Sequence, residues 1–201
     1  IRFIDVLKKG NGTITDSGGS LNCIYVGYST TFTLVDIRNV YAHEIHNINA
    51  LDAIIYEDTA VIYVITSAND AKNVINIENV HGYNFGKRLI KSHASNVCVR
   101  NVIGNSPEGD SLGLVAFLNA ETLGEKYGCV AENCHATGKM EAAFAASTPE
   151  ITYRNISATV TPGTKTGMSS AGVGLMVLNS NCLVDGYVSG SERDIGIGSS
   201  T

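Results

Sequence analysis

Apolar and polar residues alternate in short runs along most of the chain, and six of the runs share one further pattern. The alternation ends in Asn, an apolar residue and, two places on, a small residue. These runs span residues 35–42, 75–82, 97–104, 129–136, 151–158 and 182–189; five keep the Asn, as Asn39, Asn79, Asn101, Asn133 and Asn155, and the sixth carries Gly186 at that place. Alternation with period two marks a strand with one face toward a core. From Asn39 to Gly186 the steps are 40, 22, 32, 22 and 31 residues, so a unit of 22 recurs, lengthened at intervals. A strand this short cannot bury its apolar face alone, and recurrence at a fixed length means that units stack on one another. Helical periodicity is hard to find in any window, although residues 119–127 admit one short turn.

Stacking gives the aligned positions a physical meaning, because equivalent residues of neighbouring units lie about 4.8 Å apart. The five Asn form a predicted ladder, internal or at a corner, with side-chain amides bonded from unit to unit in a tight-turn conformation that Asn tolerates. One place earlier stand Arg38, Glu78, Arg100, Glu132, Arg154 and Asp185, alternating in sign, which fixes the register by attraction between neighbours. The same alternation makes Asn39 and Asn79 neighbours, so that the 40 residues between them form one unit with a large excursion; two shorter units remain an alternative. Second strands are predicted after each repeat at 89–94, 112–119, 142–147, 173–180 and 195–200, rich in Gly, Ala and Ser, and an earlier strand at 22–28. The expected fold is therefore all-β: a single-stranded right-handed parallel β-helix, or solenoid, with coils of about 22 residues and longer loop insertions. It forms one domain over 1–201, less regular over 1–34 and repeating over 35–200.

Composition adds exclusions. At 201 residues, 44% hydrophobic and 16% charged, the chain can bury a core. The net charge of −5, with 14 Lys and Arg and no basic run, argues against nucleic acid as a partner. No stretch reaches the roughly 20 apolar residues of a membrane-spanning helix, so membrane insertion is not expected, and residues 1–12 lack the apolar region of a signal peptide. The chain opens without an initiator Met, as a fragment of a secreted or particle-bound protein would. The five cysteines show no Cys-x-x-Cys pair or zinc spacing, and three of them are expected inside the core.

Segments such as residues 73–80 and 96–102, Asn-Val-Ile-Asn-Ile-Glu-Asn-Val and Asn-Val-Cys-Val-Arg-Asn-Val, resemble the coils of pectate-lyase-like β-helix proteins. The long loops and the Gly and Ser content look most like phage tail-spike or tail-appendage proteins. The resemblance covers residues 35–200 and reaches a fold superfamily. It implies a polysaccharide as partner, bound or cleaved on one face of the helix or between subunits, a homotrimer, and an extracellular or virion-associated setting. No catalytic motif of that superfamily matches residue by residue, and fold alone does not establish function.

The chemistry is therefore read from the residues. Glycoside cleavage needs two carboxylates, about 5–5.5 Å apart for retention or about 6.5–9.5 Å for inversion, and neighbouring coils supply such distances. The candidate catalytic residues precede the second strands: Glu108 and Asp110 on one coil and Glu141 on the next, with Asp194 further along. Arg88 and Lys139 enter the same region, where they would pair with uronate carboxylates or neutralise an enolate in a lyase. Tyr83 and Tyr127, with Tyr41 and Phe85, fall in turns and would stack on pyranose rings, the chain having no Trp. The competing reading of each charged residue is a solvated rim.

No metal site is expected, and Ca²⁺ is the one cofactor the sequence admits, through Asp52, Glu57 and Asp58. His43-Glu44-Ile45-His46 lacks the spacing of a helical metal pair and reads as a surface turn. His81 and His135 share a column two coils apart, about 10 Å, too far for one zinc ion. Cys98 falls in an outward column with Asn76 and Thr152 and has no aligned His to activate it. The expected function is a polysaccharide-binding β-helix that cleaves its ligand as hydrolase or lyase. The alternatives are a non-catalytic shaft or adhesin, and the C-terminal half of an enzyme whose active site lies upstream.

Overall fold

The computed structural model describes residues 2–4, 7–9, 22–29, 34–48, 60–66, 72–86, 88–119, 125–162, 172–178 and 180–198. Among these there is no helix. The strands are β1 (Arg2–Ile4), β2 (Leu7–Lys9), β3 (Ile24–Ser29), β4 (Leu34–Ile48), β5 (Ala60–Thr66), β6 (Val74–Phe85), β7 (Arg88–His93) and β8 (Val97–Ser111). They continue as β9 (Gly113–Phe117), β10 (Cys129–Met140), β11 (Ala142–Ala146), β12 (Ile151–Thr161), β13 (Val173–Leu178), β14 (Cys182–Gly190) and β15 (Arg193–Gly198).

Every pairing is parallel, and the strands sort into two sheets. The long-strand sheet has the order β1-β4-β6-β8-β10-β12-β14, with β2 also on β4; the short-strand sheet has the order β3-β5-β7-β9-β11-β13-β15. From β3 onward the chain alternates between the two sheets, so each strand pairs with the one two places later in sequence. All the predicted second strands are present within a few residues, and β3 is the predicted earlier strand. β5 lies inside the 40-residue step, where the repeat predicted no second strand.

The long strands are bent at the asparagines. Asn39, Asn79, Asn101, Asn133 and Asn155 have φ between 47 and 56°, the left-handed region that Asn tolerates best among residues with a side chain. Each amide after the first donates to its predecessor's carbonyl oxygen: Asn79 to Asn39, Asn101 to Asn79 and Asn133 to Asn101 at 3.1 Å, and Asn155 to Asn133 at 2.7 Å. The predicted ladder is thus formed, and it runs on the outside and not in the interior. The charged column is in the predicted register from Arg38 to Arg154, with Arg100 3.3 Å from Glu132 and Arg38 3.8 Å from Glu78.

The register changes at the last pair. Tyr153 is opposite Val184, but Ile156 is opposite Gly186, so Arg154 and Asn155 face Asp185 alone. The aligned position of Gly186 is therefore corrected by one residue. A bulge absorbs the extra residue on β12, and the ladder stops at Asn155.

Between the sheets lies one core. Inward columns of the long sheet, such as Ile37-Ile77-Val99-Ala131-Tyr153, meet Leu89, Leu114, Phe117, Phe144 and Leu175 from the short sheet. Tyr153 is fully buried, lies edge-on to Phe144 at 5.5 Å, and donates its hydroxyl proton to Ala145 O at 3.0 Å. Gly82 and Gly104 stand in one inward column because Phe85, Leu89 and Leu114 fill the space in front of them; a Cβ on Gly104 would lie 2.3 Å from Leu114 Cδ1. The short strands β5, β9 and β11 are buried at every residue, on both faces. Even Lys91 on β7 is buried, its ammonium 5.3 Å from the Tyr63 ring.

None of the five cysteines is in a disulfide. Cys129 and Cys134 are buried, while Cys23, Cys98 and Cys182 are half-buried. Burial pushes the thiols up, to about 12 for Cys134 and to about 11 for Cys23 and Cys182. Cys98 is raised by the same cause, and its column runs Asn76-Cys98-Val130-Thr152 as predicted.

Candidate functional site: the outer face of the long-strand sheet

Beyond the asparagine corner the long strands present two outward columns. One runs Tyr41-His81-Ile103-His135-Ser157-Tyr187 and the other His43-Tyr83-Asn105-Thr137-Thr159-Ser189. His43 and its neighbours therefore do not form a surface turn, because β4 continues to Ile48 and sets His43 on the sheet face opposite Tyr83. The His46 side chain lies outside the described residues.

Three rings stack at the head of this face. His43 lies 5.1 Å from Tyr83 with 11° between planes, and 6.4 Å from Tyr41 with 10° between planes. Tyr41 and Tyr83 are 41% and 38% exposed, well above the other side chains of comparable size in the core. Since His43 occupies one face of Tyr83, the opposite face looks along the register toward Asn105 and Thr137. An aromatic face bordered by an amide and a hydroxyl can hold a sugar among other ligands: C–H groups pack on the ring while hydroxyls bond to the polar neighbours. Further down, His135 Nδ1 and Ser157 Oγ are 2.7 Å apart, which orients that imidazole on the same surface.

The wall at the end of this face is pinned by one buried side chain. Asn84, with φ 46°, donates to Glu44 Oε1 at 2.8 Å and accepts from the backbone N–H of Glu108 at 3.1 Å, tying three adjacent strands together. Pairing of β8 with β10 runs to Ser106-Gly138 and resumes at Ser111-Met140, so residues 107–110 bulge out opposite Lys139. Glu108 is exposed on that bulge; the Asp110 side chain lies outside the described residues. Tyr83, Glu108 and Lys139 thus lie toward the same end of the long strands.

The other predicted site residues are distributed as follows. Glu141 follows β10 at the turn into β11, its N–H donating to Ser111 O at 2.9 Å, with one carboxylate oxygen buried. Arg88 opens β7, in register with Gly113, and so lies around the same turn. Asp194 accepts from Gly190 N–H at 3.1 Å, a local turn bond. Tyr127 precedes β10 at the opposite end of the long strands, where its carbonyl accepts from Asn96 N–H at 2.8 Å; it is not brought near Tyr83. Phe85 is fully buried and forms part of the core, not a sugar platform.

His81 and His135 share a column with Ile103 between them, as predicted. Among the described residues no three His, Cys, Asp or Glu side chains are grouped to hold a metal ion, and Asp52, Glu57 and Asp58 lie outside them. Sequence reasoning missed His43, Asn105 and Thr137; the signal was the same column alignment carried a few residues past each Asn. No family model, curated protein or solved structure matches the chain.

Proposed function

We propose that the two parallel sheets are walls of a right-handed β-helix, with coils of 22 residues lengthened by loops, and that its outer face binds polysaccharide. The observation that carries this reading is the exposed Tyr41-His43-Tyr83 stack, whose outer ring faces Asn105 and Thr137. Rings left exposed in a chain with so well-filled a core point to a ligand, and the amide and hydroxyl neighbours suit one with many hydroxyls. In the catalytic form of the proposal, Glu108, Asp110 and Glu141 supply the acid and the base or nucleophile, and Lys139 and Arg88 steady the departing charge. Tyr127 would then serve a separate contact at the other end. Association into a homotrimer and an extracellular or virion-associated setting belong to the same proposal and rest on the resemblance in sequence.

A second reading is a shaft or adhesin without chemistry. It is favoured by the unbroken asparagine ladder and the alternating charges, which make the molecule stiff without building a cleft. One experiment separates them: digestion of a panel of polysaccharides, followed by reducing ends and by the ultraviolet absorbance of unsaturated uronate. It is run with Glu108→Gln, Asp110→Asn and Glu141→Gln beside the parent. Cleavage lost in one of these variants supports the catalytic form, and the absorbance separates lyase from hydrolase. A folded protein that retards glycans in an affinity gel and cleaves none is an adhesin; one that does neither is a shaft.

A further inference from the structure

We infer that the ligand of this face is a neutral glycan and not a uronate or other polyanion. The inference rests on the glycan-binding reading above and specifies the substrate class. Its ground is the charge of the surface. From β4 to β14 the two outward columns beyond the asparagine corner hold twelve residues, none of them Asp, Glu, Lys or Arg; β1 extends them by Arg2, opposite Tyr41, and Ile4, opposite His43. Tyr, Ser, Thr, Asn and His offer donors and acceptors to hydroxyl groups, and Ile103 adds an exposed apolar patch, 47% accessible, between His81 and His135.

The nearest charged column, on the other side of the corner, is paired within itself from Arg38 to Glu132. Arg38 is 2.7 Å from Asp36 and 3.8 Å from Glu78, Arg100 is 3.3 Å from Glu132, and Asn101 donates to Glu78 at 3.4 Å. A polyanion laid on the face would meet there two guanidinium groups already shared with carboxylates, Arg38 and Arg100, and a further exposed one at the end of the column, Arg154, and would lie beside carboxylates at every second strand. At the far border Lys139 stands opposite the bulge that carries Glu108, so that edge presents both signs. Recognition of polyanions uses clustered Arg and Lys in bidentate or point contacts, and this face has none.

The test is affinity electrophoresis of the whole chain in gels cast with dextran, galactomannan or mixed-linkage glucan on one side, and with polygalacturonate or alginate on the other, at low and at high salt. At least one neutral polymer is expected to retard the protein to the same extent in both salts. Tyr83→Ala is expected to weaken retention about three- to tenfold, the range a lost ring contact gives, and Tyr83→Phe to retain it. Retardation by uronate polymers alone, abolished by salt, would overturn the neutral-ligand inference and leave glycan binding standing. Retardation by no polymer, with the far-ultraviolet spectrum of a folded β protein, overturns both.

Discussion

At the scale of single residues, the asparagines do two things that can be separated. Asn101 holds φ at 55°, donates to Asn79 and accepts from Asn133. Alanine at this place loses the two ladder bonds, each worth about 0.5–1.5 kcal/mol, together with the longer contact to Glu78, and must adopt a left-handed conformation costing about 1–2 kcal/mol. Glycine loses the bonds but not the conformation. Urea unfolding should therefore show Asn101→Ala less stable than the parent by about 2–5 kcal/mol, with Asn101→Gly recovering about 1 kcal/mol. A glycine variant no better than alanine would mean that the backbone angle is not what Asn supplies. The thiols make a second residue-scale prediction. The folded state holds Cys134 at about 12 against an ordinary 9.0, because burial disfavours the thiolate. A raised value of this kind costs nothing below pH 9, where the thiol is protonated folded or unfolded. Stability then falls as pH rises from 9 toward 12, since the unfolded chain releases the proton first. Unfolding midpoints should decline above pH 9 in the parent and less steeply in Cys134→Ala, and disulfide-exchange reagents at pH 8 should label Cys134 only when denaturant is present.

At the scale of elements, the long strands were legible in the sequence because each position recurs with the same chemistry: Asn at the corner, alternating charge before it, small residues in the narrow column. What was not legible follows from the same physics. The slip at Gly186 leaves the pattern of β14 intact, since a bulge drops a residue from pairing without altering which residues are apolar. β5 was missed because Ala60–Thr66 is buried on both faces and so shows no alternation. The site was half legible. Tyr83, Glu108 and Lys139 could be chosen as turn chemistry, whereas His43 joins Tyr83 only once the 40-residue step is known to be a single register. The small column carries its own prediction. Gly104 exists to admit Leu114 and Phe85, so Gly104→Ala should destabilise by about 1–3 kcal/mol through overpacking. Leu114→Ala alone should cost about 2–5 kcal/mol. In the double variant the new methyl group partly fills the cavity, so its total loss should be smaller than the sum of the two. A strictly additive cycle, measured by chemical denaturation, would show that the two positions do not share that space.

At the scale of the whole molecule, the question is what keeps a stack of similar parallel strands from sliding. Hydrophobic columns alone do so poorly here, because Ile, Val and Ala recur at equivalent places and a strand displaced by a whole repeat would still bury them. The ladder of identical Asn shares that weakness. The charged column does not, since its sign alternates at each strand and a displacement by one strand sets like charges together. Its pairs are half-exposed, with Arg100 and Glu132 side chains 47% and 35% accessible, so each attraction contributes little to stability. The penalty for a wrong pairing matters more than the gain from a right one. Glu132 lies between Arg100 and Arg154, and Glu132→Arg would line up three guanidinium groups about 4.8 Å apart along the sheet. In low salt this variant should unfold about 1–2 kcal/mol more easily than the parent and refold with a larger misfolded or aggregated fraction. About 1 M NaCl, which shortens the screening length to about 3 Å, should recover most of both losses. Glu132→Gln removes the attraction without adding repulsion and should lie within about 0.5 kcal/mol of the parent at either salt. If Glu132→Gln proves as damaging as Glu132→Arg, the column holds the register by attraction, and the exclusion of like-charged neighbours is not its role.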